Sequence, residues 1–369
     1  MRTSPLVARS LLLTLVTAAA AYGFVACSSD DDGAGTAASG ADAAADVATG
    51  TDATTGSDAG GGSDSSTNDA STADTGTDAG ADAADAAVDP CVYVSSGGGN
   101  DTNDGGAGAP LKTIQAALAR FPADGGVGDG GAGSIGCVRV LPGTYDVTNG
   151  ETFPMNVPPG VALIGDEAAR GNGASPTAIT GSLDGGSVGI VQPGPGTVLS
   201  GFRVTGSGPS GTYTVYVTQP GVVIKNNTFE ANQVGSVVYV SGGKNGVYAN
   251  DVFLNNQNVA LIFRPGSEHN RVENCVFRGN KYGVEMDTTA IGADLGGGDA
   301  GSAGGNVLAC NSTNDFWSSN PSTFFAQNNQ WDHIPPTAAK TSGGTDVYQG
   351  DVGVSVLSDG GTVAADACP

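Results

Sequence analysis

Arg264, Glu285 and Asp287 are the residues whose types and spacing could do chemistry in this chain. Glu285 and Asp287 stand two apart, so on a strand both side chains leave the same face, about 7 Å from one another. Carboxylates at such a separation can act as acid and base on a sugar, and a guanidinium beside them can hold an anionic group. Tyr216, Tyr239 and Phe263 lie upstream in similar local surroundings. Aromatic faces beside carboxylates suit sugar rings, which pack on the ring and hydrogen-bond at its edge. The expected ligand-binding set is Tyr216, Tyr239, Phe263 and Asp287, with Glu285, Asp287 and Arg264 the candidates for any catalysis. The competing reading is purely structural: exterior aromatics that brace neighbouring strands or lie under a loop such as 291–305.

What could place these residues in one column is a repeat. Asn226, Asn250 and Asn274 are 24 residues apart, as are Phe229, Phe253 and Phe277, and Asn232, Asn256 and Asn280. A fixed period marks stacked structural units. Each unit offers three short strand candidates, in the second "NGVYAN", "DVFLNN" and "VALIFR", broken by Asn or Gly. Three such strands per unit suit one coil of a right-handed parallel β-helix, each coil pairing with the next at a rise of about 4.8 Å. A leucine-rich repeat has a similar period, but its leucine framework is absent.

In this reading the Phe column stacks inside the coil, together with Val238, Ile262 and Met286 from the third strand. Tyr239, Phe263 and Asp287 then point outward, and Tyr216 joins them if its coil is one residue shorter. Asn tolerates the left-handed backbone of a sharp corner, and its amide can bond to the Asn a coil above, so the Asn columns read as structural ladders. The one good helical stretch, 109–121, carries Ile114, Ala117, Leu118 and Phe121 at helical spacing.

Three stretches carry a resemblance. "VYVSSGGGNDTNDGGAGAPLKTIQAAL", "VRVLPGTYDVTNGETFPMNVPPGVALIGDE" and "FFAQNNQWDHIPPT" resemble a bacterial domain-of-unknown-function family among the pectin-lyase-like β-helix proteins. The resemblance spans most of 91–340. It implies an N-terminal strand, a capping helix and then coils, all-β apart from that helix. It implies no activity, because this fold hosts lyases, hydrolases, adhesins and inert scaffolds.

The hydrolases of the fold use carboxylates in "NTD", "DD" and "GHG", and none of these lies in the segment from Cys91. "WDH" at Trp331 has a superficial likeness to a lyase motif, but its place in the closing segment suits a packed Trp better. His269 and His333, the two histidines, sit in unrelated surroundings. The Gly-rich stretches "GGVGDGGAG" and "GGGDAGSAGG" lack the spacing of a calcium repeat and read as surface loops. No metal set and no cofactor is therefore expected.

The chain start reads as an export signal over 1–26: Arg2 and Arg9, then an apolar run too short for a convincing membrane span. The run ends in "FVAC", which resembles a bacterial lipobox and makes Cys27 the expected lipid carrier. Residues 27–90 follow as a tether of Ala, Gly, Ser, Thr and Asp, too polar to offset the entropy of ordering. The formal net charge is −23, and fourteen aspartates of the tether supply much of it. From Cys91 onward 23 acids still outnumber 12 Lys and Arg, a balance that excludes nucleic acid as a partner.

Export permits disulfides, and with Cys27 lipidated the remaining count is odd. Cys91 pairs with Cys137, since "CVYVS" and "CVRVL" can be neighbouring strands, Cys310 pairs with Cys368, and Cys275 is left as a thiol. The domain expected over 91–369 is thus held on a lipid anchor, at an outer membrane. Its favoured role is non-catalytic binding of a polysaccharide or an envelope protein. The alternative is a polysaccharide lyase or glycoside hydrolase acting on an acidic polysaccharide.

Overall fold

The computed structural model describes residues 91–122, 136–183, 189–208, 213–287, 291–319, 324–333, 336–339, 345–349 and 356–357. The expected leader, lipid carrier Cys27 and tether, and the expected disulfide partner Cys368, lie outside these residues. A typical coil runs through the strands Val223–Lys225, Thr228–Glu230 and Ser236–Ser241 before Val247–Ala249 starts the next. Equivalent strands stack into sheets one, two and three, of eight, eight and nine strands, named in the order the chain visits them. The pairings within them are parallel, and the architecture is a right-handed parallel β-helix.

The corner between sheets one and two is made by the repeating Asn. Asn226, Asn250 and Asn274 have φ of 55°, 57° and 54°, the left-handed region that Asn enters at low cost. The amide ladder runs along the other predicted column, at the corner between sheets two and three. Asn232 Nδ2 donates to Asn256 Oδ1 at 3.0 Å, Asn256 to Asn280 at 2.7 Å and Asn280 to Asn311 at 3.0 Å, all inside the coils. A buried amide without such partners would cost about 1–3 kcal/mol, so the column favours one register.

The Phe column is interior as the repeat predicts. Phe229 and Phe253 stack at 4.9 Å, as do Phe253 and Phe277, and the column runs on through Leu308 to the buried Trp331. Trp331 is therefore a packed terminal residue. The second predicted column needs correction. Leu261 pairs with Val238 and Val284, while Phe263 pairs with Val240 and Met286. On sheet three Ile262 faces outward and Phe263 is buried, edge-on to Tyr248 at 5.5 Å.

The cause is a compensated slip. The turn from Asn256 to Val259 is one residue shorter than that from Asn232 to Ser236, and Pro265 restores the count before Lys244 meets Glu268. The spacing on sheet three is therefore 23 residues while sheets one and two keep 24. One residue of slip exchanges the two faces of a strand.

Two other elements are smaller than the pattern suggests. The helix is Ile114–Leu118, not 109–121. Leu111 is still extended, bridged to Val94, and Thr113 caps the turn by accepting from Ala116 N at 3.1 Å. Glu151, itself buried, accepts from Ile114 N at 2.6 Å and Gln115 N at 3.2 Å, which fixes the helix start. The expected 291–305 loop begins later, because Ile291–Asp294 is a strand of sheet one. Beyond it the Asp294 carboxylate gathers the backbone N–H groups of Gly296, Gly298 and Ser302, holding the segment against sheet one. It does not roof sheet three.

Cys91 and Cys137 occupy paired positions on adjacent strands of sheet one and form a disulfide, with Cα atoms 4.5 Å apart. Cys310 is also disulfide-bonded, and Cys275 is a buried thiol.

Candidate functional site

The outer face of sheet three carries one column across six coils: Tyr216, Tyr239, Ile262, Glu285, Trp317 and Tyr348, each the registered partner of the next. Parallel pairing spaces them by about 4.8 Å, so the column is roughly 24 Å long. At one end Tyr213 stacks on Tyr239 with ring centroids 4.0 Å apart and lies 5.4 Å from Tyr216. At the other end Trp317 and Tyr348 stack at 5.5 Å, within 3° of parallel. Ile262 and Glu285 form the floor between the two aromatic groups.

Charge is concentrated in that middle. Arg264 Nη1 meets Asp287 Oδ2 at 2.8 Å, and the guanidinium lies 5.9 Å from the centre of the Tyr239 ring. Burial pushes the Glu285 carboxyl up from its ordinary value to about 7, with Asp287 adding to the effect and Arg264 opposing it. A shallow depression joins Tyr213, Tyr239, Asn258, Ile262, Arg264 and Glu285. The face thus offers flat rings, a carboxyl that exchanges its proton near neutrality, and a guanidinium already neutralised by Asp287.

Of the predicted residues, the structure brings Tyr216, Tyr239, Glu285, Asp287 and Arg264 together. Phe263 does not belong with them. It is a core residue, and Ile262 takes its place in the column. Tyr213, Trp317 and Tyr348 were not legible as members. Trp317 follows Glu285 by 32 residues and Tyr348 follows Trp317 by 31, because excursions lengthen the last coils beyond the repeat.

Carboxylates also meet elsewhere. Oxygens of Asp315, Asp332 and Asp346 lie within 4.8 Å of one another at the C-terminal end. Their separation in sequence hid the cluster, and no metal set was expected from spacing alone.

Fold and face together define a right-handed parallel β-helix with an open aromatic ribbon on its third sheet. The chain belongs to the family described as "Protein of unknown function (DUF1565)", whose sequence model matches residues 97–338. Among solved structures it is similar to the pectate lyase Pel9A, at 16% identity and a TM-score of 0.46, covering 73% of this chain and 78% of that one. It is also similar to a pectin methylesterase from Aspergillus niger, at 14% identity, 66% and 86% coverage and a TM-score of 0.36. An alginate lyase from Paenibacillus sp. str. FPU-7 shares 11% identity, with 68% and 95% coverage and a TM-score of 0.30. Such likenesses are of fold. No curated protein matches the chain.

Proposed function

We propose that the protein is an exported, lipid-anchored envelope protein that binds an extended polysaccharide along sheet three without cleaving it. The observation that carries this reading is the registered column from Tyr216 to Tyr348, with stacked rings at both ends and Glu285 and Arg264 between them. Aromatic faces supply apolar contact, and the flanking carboxyl and guanidinium supply hydroxyl partners. A binding role is favoured over turnover because Asp287 is engaged by Arg264, and Glu285, on the strand Tyr282–Met286, stands only two residues before Asp287. An inverting mechanism needs two carboxyl groups on opposite sides of the sugar.

The purified protein is applied to a glycan array, and any ligand found is titrated against the variants Tyr239→Ala and Trp317→Ala. Each should weaken binding by about tenfold or more, the loss of roughly 1–2 kcal/mol of aromatic contact, while circular dichroism stays unchanged. Binding that survives both substitutions, or no glycan bound at all, defeats the assignment.

One observation favours the enzymatic reading, namely a Glu285 carboxyl poised near neutrality. Incubating the bound polysaccharide and assaying for unsaturated or reducing ends tests it. Turnover lost in Glu285→Gln with binding retained would make the protein a lyase or hydrolase.

The location half of the proposal rests on "FVAC" and the tether that follows it. Replacing Cys27 by Ala should move the protein from the membrane to the soluble fraction.

A further inference from the structure

The interior amide ladder has to end somewhere, and its last rung is not an amide. Asn280 donates to Asn311, and Asn311 Nδ2 donates to Asp315 Oδ1 at 2.7 Å. An Asn at 315 would pass a donor onward. Asp315 instead presents a second acceptor, Oδ2, which is buried and has no hydrogen-bond partner, on a side chain only 2% exposed.

Its carboxylate is turned toward two others. Oxygens of Asp315, Asp332 and Asp346 lie within 4.8 Å of each other. Asp315 and Asp346 are neighbours on paired strands of sheet three, Asn314–Ser318 and Thr345–Gln349, while Asp332 follows the sheet-two strand Gln330–Trp331. The remaining contacts orient the group. Cys310 N donates to Asp332 at 2.9 Å, Thr337 Oγ1 to Asp346 at 2.9 Å, and the His333 ring sits 3.1 Å from Asp346. Three converging carboxylates, one with an orphan buried oxygen, repel one another unless a cation or a proton sits among them.

We infer that Asp315, Asp332 and Asp346 bind one hard divalent cation, calcium by the chemistry of an all-oxygen donor set, which clamps the C-terminal end of the β-helix. The ion ties sheet two to the last strands of sheet three, where the regular repeat has ended. It would replace the missing ladder donor as the partner of Asp315 Oδ2, and backbone carbonyls or water can complete the shell. The role is structural, since Asp315 is buried at the end of the interior amide ladder. It does not depend on the glycan reading.

The test uses the full protein, stripped with EDTA and titrated calorimetrically with calcium chloride, with thermal unfolding followed in parallel. The expected result is one tightly bound ion and a midpoint raised by millimolar calcium, because a ligand held only by the folded state stabilises it. Asp315→Asn keeps the acceptor for Asn311 and gains the onward donor, so it should fold and bind calcium ~10-fold or more weakly. Asp346→Asn is the second variant, with the same loss expected. An unresponsive wild type overturns the inference. So does an equal response in Asp315→Asn, which would place the ion elsewhere on the chain. Zinc binding that is lost in His333→Ala, without calcium binding, would overturn it as well.

Discussion

Asp251 occupies a rung that suits an amide. One residue past each left-handed corner, Asn227, Asp251, Cys275, Asn306 and Asn329 point inward in successive coils. Asn227 Nδ2 donates to the carbonyls of Leu199 and Lys225, and Cys275 Sγ approaches the equivalent carbonyls of Tyr248 and Glu273. Asp251 accepts at Oδ1 from Asn227, but its Oδ2 is buried without a partner and can donate only when protonated. Burial accordingly raises this carboxyl from 3.8 to about 7, against the opposing hydrogen bonds of Asn227. The folded state therefore holds the proton more tightly than the unfolded one. Stability should be highest below pH ~4 as far as this group is concerned, and should fall as pH rises toward 7, by on the order of 2–4 kcal/mol. Asp251→Asn should raise the unfolding free energy at neutral pH and flatten that part of its pH profile, measured by urea denaturation between pH 4 and 8. A variant no more stable than the parent at pH 8 would refute the argument. The spacing revealed that Asn lines the corners, yet not which Asn does what. The residue with the left-handed backbone and the residue with the inward amide are neighbours, and composition treats them alike.

At the scale of the strand, the repeat is legible in the sequence and the face of Ile262 and Phe263 is not. Phe229, Phe253 and Phe277 keep a 24-residue spacing and stack, because sheet two contains no slip. Sheet three loses one residue before Val259 and regains it at Pro265, so positions 24 apart there fall on opposite faces. Alternation within "VALIFR" could not reveal this, since all but Arg264 are apolar and buried. Ile262 is covered from outside by its column neighbours, whereas Phe263 fills the coil against Tyr248. Phe263→Ala should therefore destabilise by about 3–5 kcal/mol, the range for a large core aromatic, and Ile262→Ala by clearly less. Denaturant unfolding of the two variants measures the difference. The reverse order would mean that Phe263, not Ile262, lies on the outer face. The helix shows the same limit in another form. Apolar spacing over 109–121 is genuine, but the carboxylate of Glu151, a distant residue in sequence, fixes where the helix Ile114–Leu118 begins.

A β-helix is nearly one-dimensional: each coil touches its neighbours and little else, so stability is set coil by coil rather than by one global core. The central coils are braced by the amide ladder from Asn232 to Asn311 and by the stacked Phe column. Neither reaches the N-terminal end, where the sheet-one strands Cys91–Val94 and Gly136–Val140 are joined by the Cys91–Cys137 disulfide across a sequence separation of 46. Closing a loop of that size removes unfolded-state entropy worth roughly 4 kcal/mol in the chain-entropy account. In a two-state globule, loss of the bridge would lower protection everywhere. Here it should act locally. In a Cys91→Ser, Cys137→Ser double variant, amides of 91–94 and 136–140 should exchange on the order of a hundredfold faster, while those of 228–230 and 252–254 keep their rates. Hydrogen exchange read by mass spectrometry resolves these segments. Uniform acceleration along the chain would show that the coils unfold as one unit, with the end strands coupled to the ladder after all.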